Sequence, residues 1–126
     1  MVDFIKCIAS HPTGSRYICD PPPTDTDNDT VILIAPEDFD SVNVTLMLND
    51  WELGGSMVPG DIWYSYKKGI ENYIITTSEE HYRKWITATR IAKKFNMVNK
   101  EDRIDLFKAI VDSQYDSVKT YYAGQL

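Results

Sequence analysis

The chain has 126 residues, 43% hydrophobic and 25% charged, the proportions of one soluble globular domain with an ordinary core. Its 19 acidic residues outweigh 13 basic ones, giving a formal net charge of −6. That balance argues against broad electrostatic binding of nucleic acid, which wants a basic face.

No apolar run approaches the roughly 20 residues of a membrane helix. No basic segment leading into a long apolar run opens the chain, so no signal peptide is expected. A soluble, cytoplasmic protein without a membrane partner follows as the expectation. Cys7 and Cys19 stand twelve residues apart without partner histidines, match no zinc pattern and read as thiols.

Val2, Phe4, Ile5, Ile8 and Ala9 recur at three- to four-residue steps and predict a short helix over residues 2 to about 10. His11-Pro12 should break it, because proline pushes its predecessor out of the helical region. His11 reads as a turn histidine, with a catalytic base as the alternative. Thr13-Gly14-Ser15-Arg16 then forms a turn, and a polar spacer containing Pro21-Pro22-Pro23 leads to Thr24-Asp25-Thr26-Asp27-Asn28-Asp29.

On extended backbone Asp25, Asp27 and Asp29 point one way, and Thr26, Asn28 and Thr30 the other. Carboxylates crowded on one face repel and hold their protons more tightly unless a cation neutralises them. Their hard oxygens suit Mg²⁺ or Mn²⁺, with substrate phosphates completing the shell. Upstream, Gly14 lets backbone approach a ligand, and Ser15 offers a hydroxyl and an N–H to phosphate. The guanidinium of Arg16 either grips a phosphate or pairs with Asp20 or with an aspartate of the cluster. A solvated acidic loop and a calcium loop are the alternatives, but Thr30 and Pro36 replace the glycine and glutamate of an EF-hand.

Val31 to Ala35 is continuously apolar, as in a strand buried on both faces. Pro36-Glu37-Asp38 starts a helix whose apolar face is Phe39, Val42, Leu46 and Met47. Trp51 to Gly60 reads as a loop. Residues 61–67 and 70–76 form a hairpin about Lys68-Gly69. Thr77 and Glu80 have the capping-box spacing for a helix to about Phe95, its core stripe being Tyr82, Trp85, Ile86, Thr89, Ala92 and Phe95. Arg83, Thr87, Arg90 and Lys94 line its other face, as a phosphate stripe or a solvated one.

Asn99 caps a last helix from Lys100 to about Tyr122, with Ile104, Phe107, Val111, Tyr115, Val118 and Tyr122 at helical spacing. An aromatic stripe of that length also suits a homo-oligomer interface. Alternating strands and helices give an α/β (α+β) class, a small mixed sheet packed by helices with two of them C-terminal, in a single domain over residues 1–126.

Gly14-Ser15-Arg16, a spacer of about ten residues, and Thr24-Asp25-Thr26-Asp27-x-Asp29 before an apolar strand resemble the signature of the DNA polymerase beta-like nucleotidyltransferase superfamily. Within it the chain is most similar to small nucleotidyltransferase-like proteins encoded by bacteriophages. Tyr64-x-Tyr66-Lys67-Lys68-Gly69, Asn72-Tyr73-Ile74-Ile75-Thr76 and Lys100-x-Asp102-Arg103-Ile104-x-Leu106-Phe107 extend the resemblance over nearly the whole chain.

The resemblance implies transfer of a nucleoside monophosphate from a nucleoside triphosphate to a hydroxyl acceptor, in the host cytoplasm if the protein is phage-encoded. Mg²⁺ or Mn²⁺ would sit on Asp27 with Asp29 or Asp25, and Gly14, Ser15 and Arg16 would bind the nucleotide. A third carboxylate on a neighbouring strand would be Glu71, or else Asp61. Lys100 and Arg103 offer a further basic contact. The acceptor is unknown: a small molecule, a transfer RNA end or a protein. A nucleotide-binding or interaction module without catalysis is the alternative.

Overall fold

The computed structural model describes residues 4–24, 26–55 and 63–111. Its sheet is built from β1 (Ala9–Thr13), β2 (Asn28–Leu33), β3 (Glu52–Gly55), β4 (Trp63–Lys68) and β5 (Glu71–Thr76), in the order β1-β2-β5-β4-β3. β2 and β5 run parallel and every other pair is antiparallel. The helices are the single turn α1 (Ser15–Ile18), α2 (Phe39–Leu48) after a 3₁₀ turn at Pro36–Asp38, α3 (Glu79–Lys94) and α4 (Lys100–Val111). The mixed α+β class is therefore as the sequence predicts.

Helices cover both faces of the sheet. On one face Ile32, Ile34, Tyr73 and Ile75 pack against Val42 and Leu46 of α2, with Trp51 stacked on Tyr73 at 4.2 Å between ring centroids. On the other, Val31 and Ile74 meet Trp85 of α3 and Val111 of α4. Ile18, Ala88, Ile91, Leu106 and Ile110 seal α1, α3 and α4 together. Because β2 feeds both layers, its run from Val31 to Ile34 is at most 5% exposed at every position.

Several expectations change. The chain before the Gly-Ser turn is not helical: residues 9–13 form strand β1, and the Ile8 N–H already bonds Leu33 O at 2.8 Å. Its apolar rhythm misleads because Phe4 and Ile8 are exposed and Ile5 alone of the described set is in the core. Pro12 does not break it, since an edge strand tolerates a residue without an N–H.

Within the predicted Trp51–Gly60 loop, Glu52–Gly55 is edge strand β3; residues 56–62, Asp61 among them, lie outside the described set. The hairpin turn is Gly69-Ile70, one residue later than predicted, with Lys68 paired to Glu71 and Gly69 at φ +61°.

The cap of α3 is Ser78 rather than Thr77, its Oγ accepting from the His81 N–H at 3.3 Å. Met47, Phe95 and Ile104 are exposed, and Ala88, Ile91, Leu106 and Ile110 take core places instead. Asn99 does cap α4, its Oδ1 accepting from the Asp102 N–H at 3.1 Å. Tyr115, Val118 and Tyr122 lie outside the described residues. None of the described helices is long and apolar enough to cross a membrane.

Candidate functional site

Where β1 ends, the chain must turn into α1 within one residue, and Gly14 does so at φ +79°, ψ −179°. That region is almost confined to glycine. Space makes a second demand. Thr13 is paired with Asp29 on β2, and a Cβ built on Gly14 would lie 2.0 Å from Asp29 Oδ2. The Gly-Ser turn and the acidic cluster, separate in sequence, are thus in contact.

Asp27 and Asp29 both line a cavity of about 820 Å³ together with Gly14, Ser15 and Asn72, but Thr26, which strand alternation would turn the other way, lines it too, because regular strand begins only at Asn28. Asp29 Oδ1 accepts from Asn72 Nδ2 at 2.9 Å, and Asp27 Oδ2 meets Lys67 Nζ at 2.7 Å. Burial pushes the Asp29 carboxyl above the ordinary aspartate range, and the charge of Asp27 adds to this. The Asn72 hydrogen bond and the charge of Lys67 oppose the shift. The Lys67 ammonium, in turn, is held above its usual range by its bond to Asp27. Asp25 lies outside the described residues.

Glu71 stands on β5 beside β2 but one position away from the pocket side. Its register partner is Asn28, whose Nδ2 donates to both carboxylate oxygens at 3.1 and 3.2 Å. Parity then turns Glu71 to the α2 face, and the place across from Asp29 belongs to Asn72.

Arg16 pairs with neither Asp20 nor an aspartate of the described cluster. Its Nε donates to Thr26 O at 2.7 Å and its Nη2 to Thr24 O at 2.9 Å, so it braces the acidic loop. If the acidic loop holds a divalent cation, Arg16→Met should weaken its binding about tenfold, as loss of outer supporting contacts does, while leaving the fold intact. Titration with Mn²⁺ and a melting curve check both halves.

His11 lies edge-on to Tyr17, with Nδ1 2.6 Å from Pro12 O, and is not in the cavity wall. Arg83 pairs with Glu79 at 2.6 Å. Arg83, Thr87, Arg90 and Lys94 all stay away from the cavity.

The opposite wall is α4. Lys100 and Arg103 stand on it, joined by Lys108, which sequence reasoning passed over. Arg103 is fixed by donation from Nη1 to Met97 O and Val98 O at 2.9 and 2.8 Å. Between the charged walls the floor is apolar, formed by Ile18, Ile74, Trp85, Phe107 and Val111. A closed polar circuit anchors it. Trp85 Nε1 donates to Thr13 Oγ1 at 3.1 Å, and Thr89 Oγ1 donates to Trp85 O at 2.9 Å. Thr13 is left to donate to Thr89 across 2.7 Å.

The oxygen donors fit Mg²⁺ or Mn²⁺. No group of three or more His, Cys, Asp or Glu side chains poised for a metal occurs among the described residues. Yet Mg²⁺ commonly takes one or two carboxylates, keeps waters and borrows substrate phosphates. Asp27 and Asp29 supply such a pair, and Thr26 Oγ1 beside them is buried with no hydrogen-bond partner. No protein-family model, curated protein or solved structure matches this chain.

Proposed function

We propose that the protein is a magnesium-dependent nucleotidyltransferase that moves a nucleoside monophosphate from a triphosphate to a hydroxyl acceptor. The observation that carries this reading is the contact of Gly14 with Asp29. It joins a turn suited to phosphate and a carboxylate pair suited to a divalent cation on one cavity wall.

Asp27 and Asp29 hold the cation, which supplies neutralisation of phosphate charge and polarisation of the attacking hydroxyl. The backbone at Gly14 and the hydroxyl of Ser15 take the terminal phosphates. Lys100, Arg103 and Lys108 face them across the cavity, and the apolar floor packs the base. In the reaction the acceptor oxygen bonds to the α-phosphorus, the α–β bridging bond breaks and pyrophosphate leaves. The acceptor proton passes to solvent, since Glu71 is turned away and engaged by Asn28.

Asn72 favours a second reading, nucleotide binding without transfer. It places a neutral amide where a base beside Asp29 would stand.

Calorimetric titration of the four ribonucleoside triphosphates, with and without Mg²⁺, tests the proposal on wild type and Asp27→Ala. Magnesium-dependent binding at least tenfold weaker in the variant is expected. A folded protein that binds no triphosphate would overturn both readings. Binding without pyrophosphate release for small-molecule, RNA or protein acceptors would select the second.

A further inference from the structure

Asn72 and Ser65 continue the site inward from Asp29. Both are 8% exposed, on β5 and β4, and both lie on the sheet face that carries Asp29. An ionised carboxylate only accepts hydrogen bonds, so the side of the Asn72 amide that meets Asp29 Oδ1 at 2.9 Å must be Nδ2. Oδ1 of Asn72 then points to β4, where Ser65 Oγ lies at 2.8 Å and can only be the donor. Each group in this three-strand chain thereby fixes the orientation of the next. Gly14 limits Asp29 at Oδ2, which would lie 2.0 Å from any Cβ at that position.

We infer that Ser65, which does not line the cavity, is a positioning residue for the divalent-cation site, acting through the Asn72 amide on the Asp29 carboxylate. The inference rests on the reading of Asp29 as a metal ligand. A carboxylate clamped at one oxygen presents the other in a fixed direction, and outer-shell partners of this kind typically account for 10- to 100-fold in metal affinity. An amide also orients Asp29 without adding negative charge to a pair already crowded by Asp27. Without the Ser65 hydroxyl, Asn72 Oδ1 is left buried without a donor, and the amide loses the contact that chooses its rotamer.

The test uses Mn²⁺ alone as probe, with free Mn²⁺ counted by its electron paramagnetic resonance signal. The proteins are wild type, Asp29→Asn, Ser65→Ala, Ser65→Thr and Val42→Ala. Threonine keeps the hydroxyl, and Gly54 on the adjoining strand sets no side chain against Ser65. Val42→Ala loosens the core on the far face and controls for general destabilisation.

The expected result is Mn²⁺ binding abolished in Asp29→Asn, at least tenfold weaker in Ser65→Ala, and within threefold of wild type in Ser65→Thr and Val42→Ala. Unchanged affinity in Ser65→Ala, with Asp29→Asn abolished, overturns the positioning role and leaves the metal site standing. Equal weakening in Ser65→Ala and Val42→Ala assigns the effect to lost stability and also overturns it. Wild type that binds no Mn²⁺, or an Asp29→Asn variant that binds it as well, overturns the metal reading and this inference together.

Discussion

Asp29→Asn is expected to abolish magnesium-dependent nucleotide binding while raising the melting temperature of the metal-free protein. The two effects have one cause. Asp29 carries its charge in a partly buried place beside Asp27, and burial is the main reason its carboxyl holds the proton above the ordinary range.

The sign follows from linkage. A carboxyl whose folded-state pKa is raised binds its proton more tightly folded than unfolded. Stability therefore falls as pH rises from the unfolded aspartate value, about 3.9, through the raised folded value. Above that raised value the penalty is complete, and the asparagine variant does not carry it.

Asparagine still accepts from Asn72 Nδ2 through its own carbonyl, so that bond is weakened to its neutral form but not lost. Solvent screening at this half-buried position keeps the gain small, a rise of a few degrees in melting temperature. A divalent cation should reverse the order, since a ligand at about 100 times its Kd adds about 2.7 kcal/mol to a protein that binds it. Melting curves with and without Mg²⁺ and nucleotide read both effects. A variant that melts below wild type at neutral pH without metal would show that Asp29 is not strained by its charge.

Gly14→Ala is the second large effect. Alanine at φ +79°, ψ −179° occupies backbone space nearly reserved for glycine, at a cost of about 1–3 kcal/mol. Its Cβ would also stand 2.0 Å from Asp29 Oδ2, so the carboxylate or the turn must move. Disturbing a contact that positions a metal-ligating carboxylate costs about 10- to 100-fold in metal affinity, and nucleotide affinity in Mg²⁺ should fall with it.

Gly69→Ala separates the two contributions. Gly69 also has positive φ, +61°, but nothing lies within 4 Å of an added Cβ there. It should lose about 1–2 kcal/mol of stability and no binding. If both variants bound as wild type, the contact between the turn and Asp29 would have no part in the site.

Legibility in the sequence followed the range of the interaction that decides each feature. The apolar run Val31–Ile34 could only be a doubly covered strand, and Asn99 before Lys100 could only be a cap, because composition and neighbours decide both. The Gly-Ser turn and the alternating aspartates were likewise legible, since a glycine forced into positive φ and a period of two are local properties.

What only the tertiary structure decided was partnership. Residues 9–13 became a strand because β2 offered an edge, and Trp51 entered the core because Tyr73 lay there to receive it. Parity along β5 set Asn72 rather than Glu71 against Asp29, and a register shift of one residue would exchange them. Lys67 on Asp27, Arg16 on the carbonyls of the acidic loop and Lys108 in the far wall are meetings of segments remote in sequence or held by loop shape. Spacing along the chain says which groups a segment can offer. Only the register of the sheet and the packing of α3 and α4 on it determine which of those groups meet.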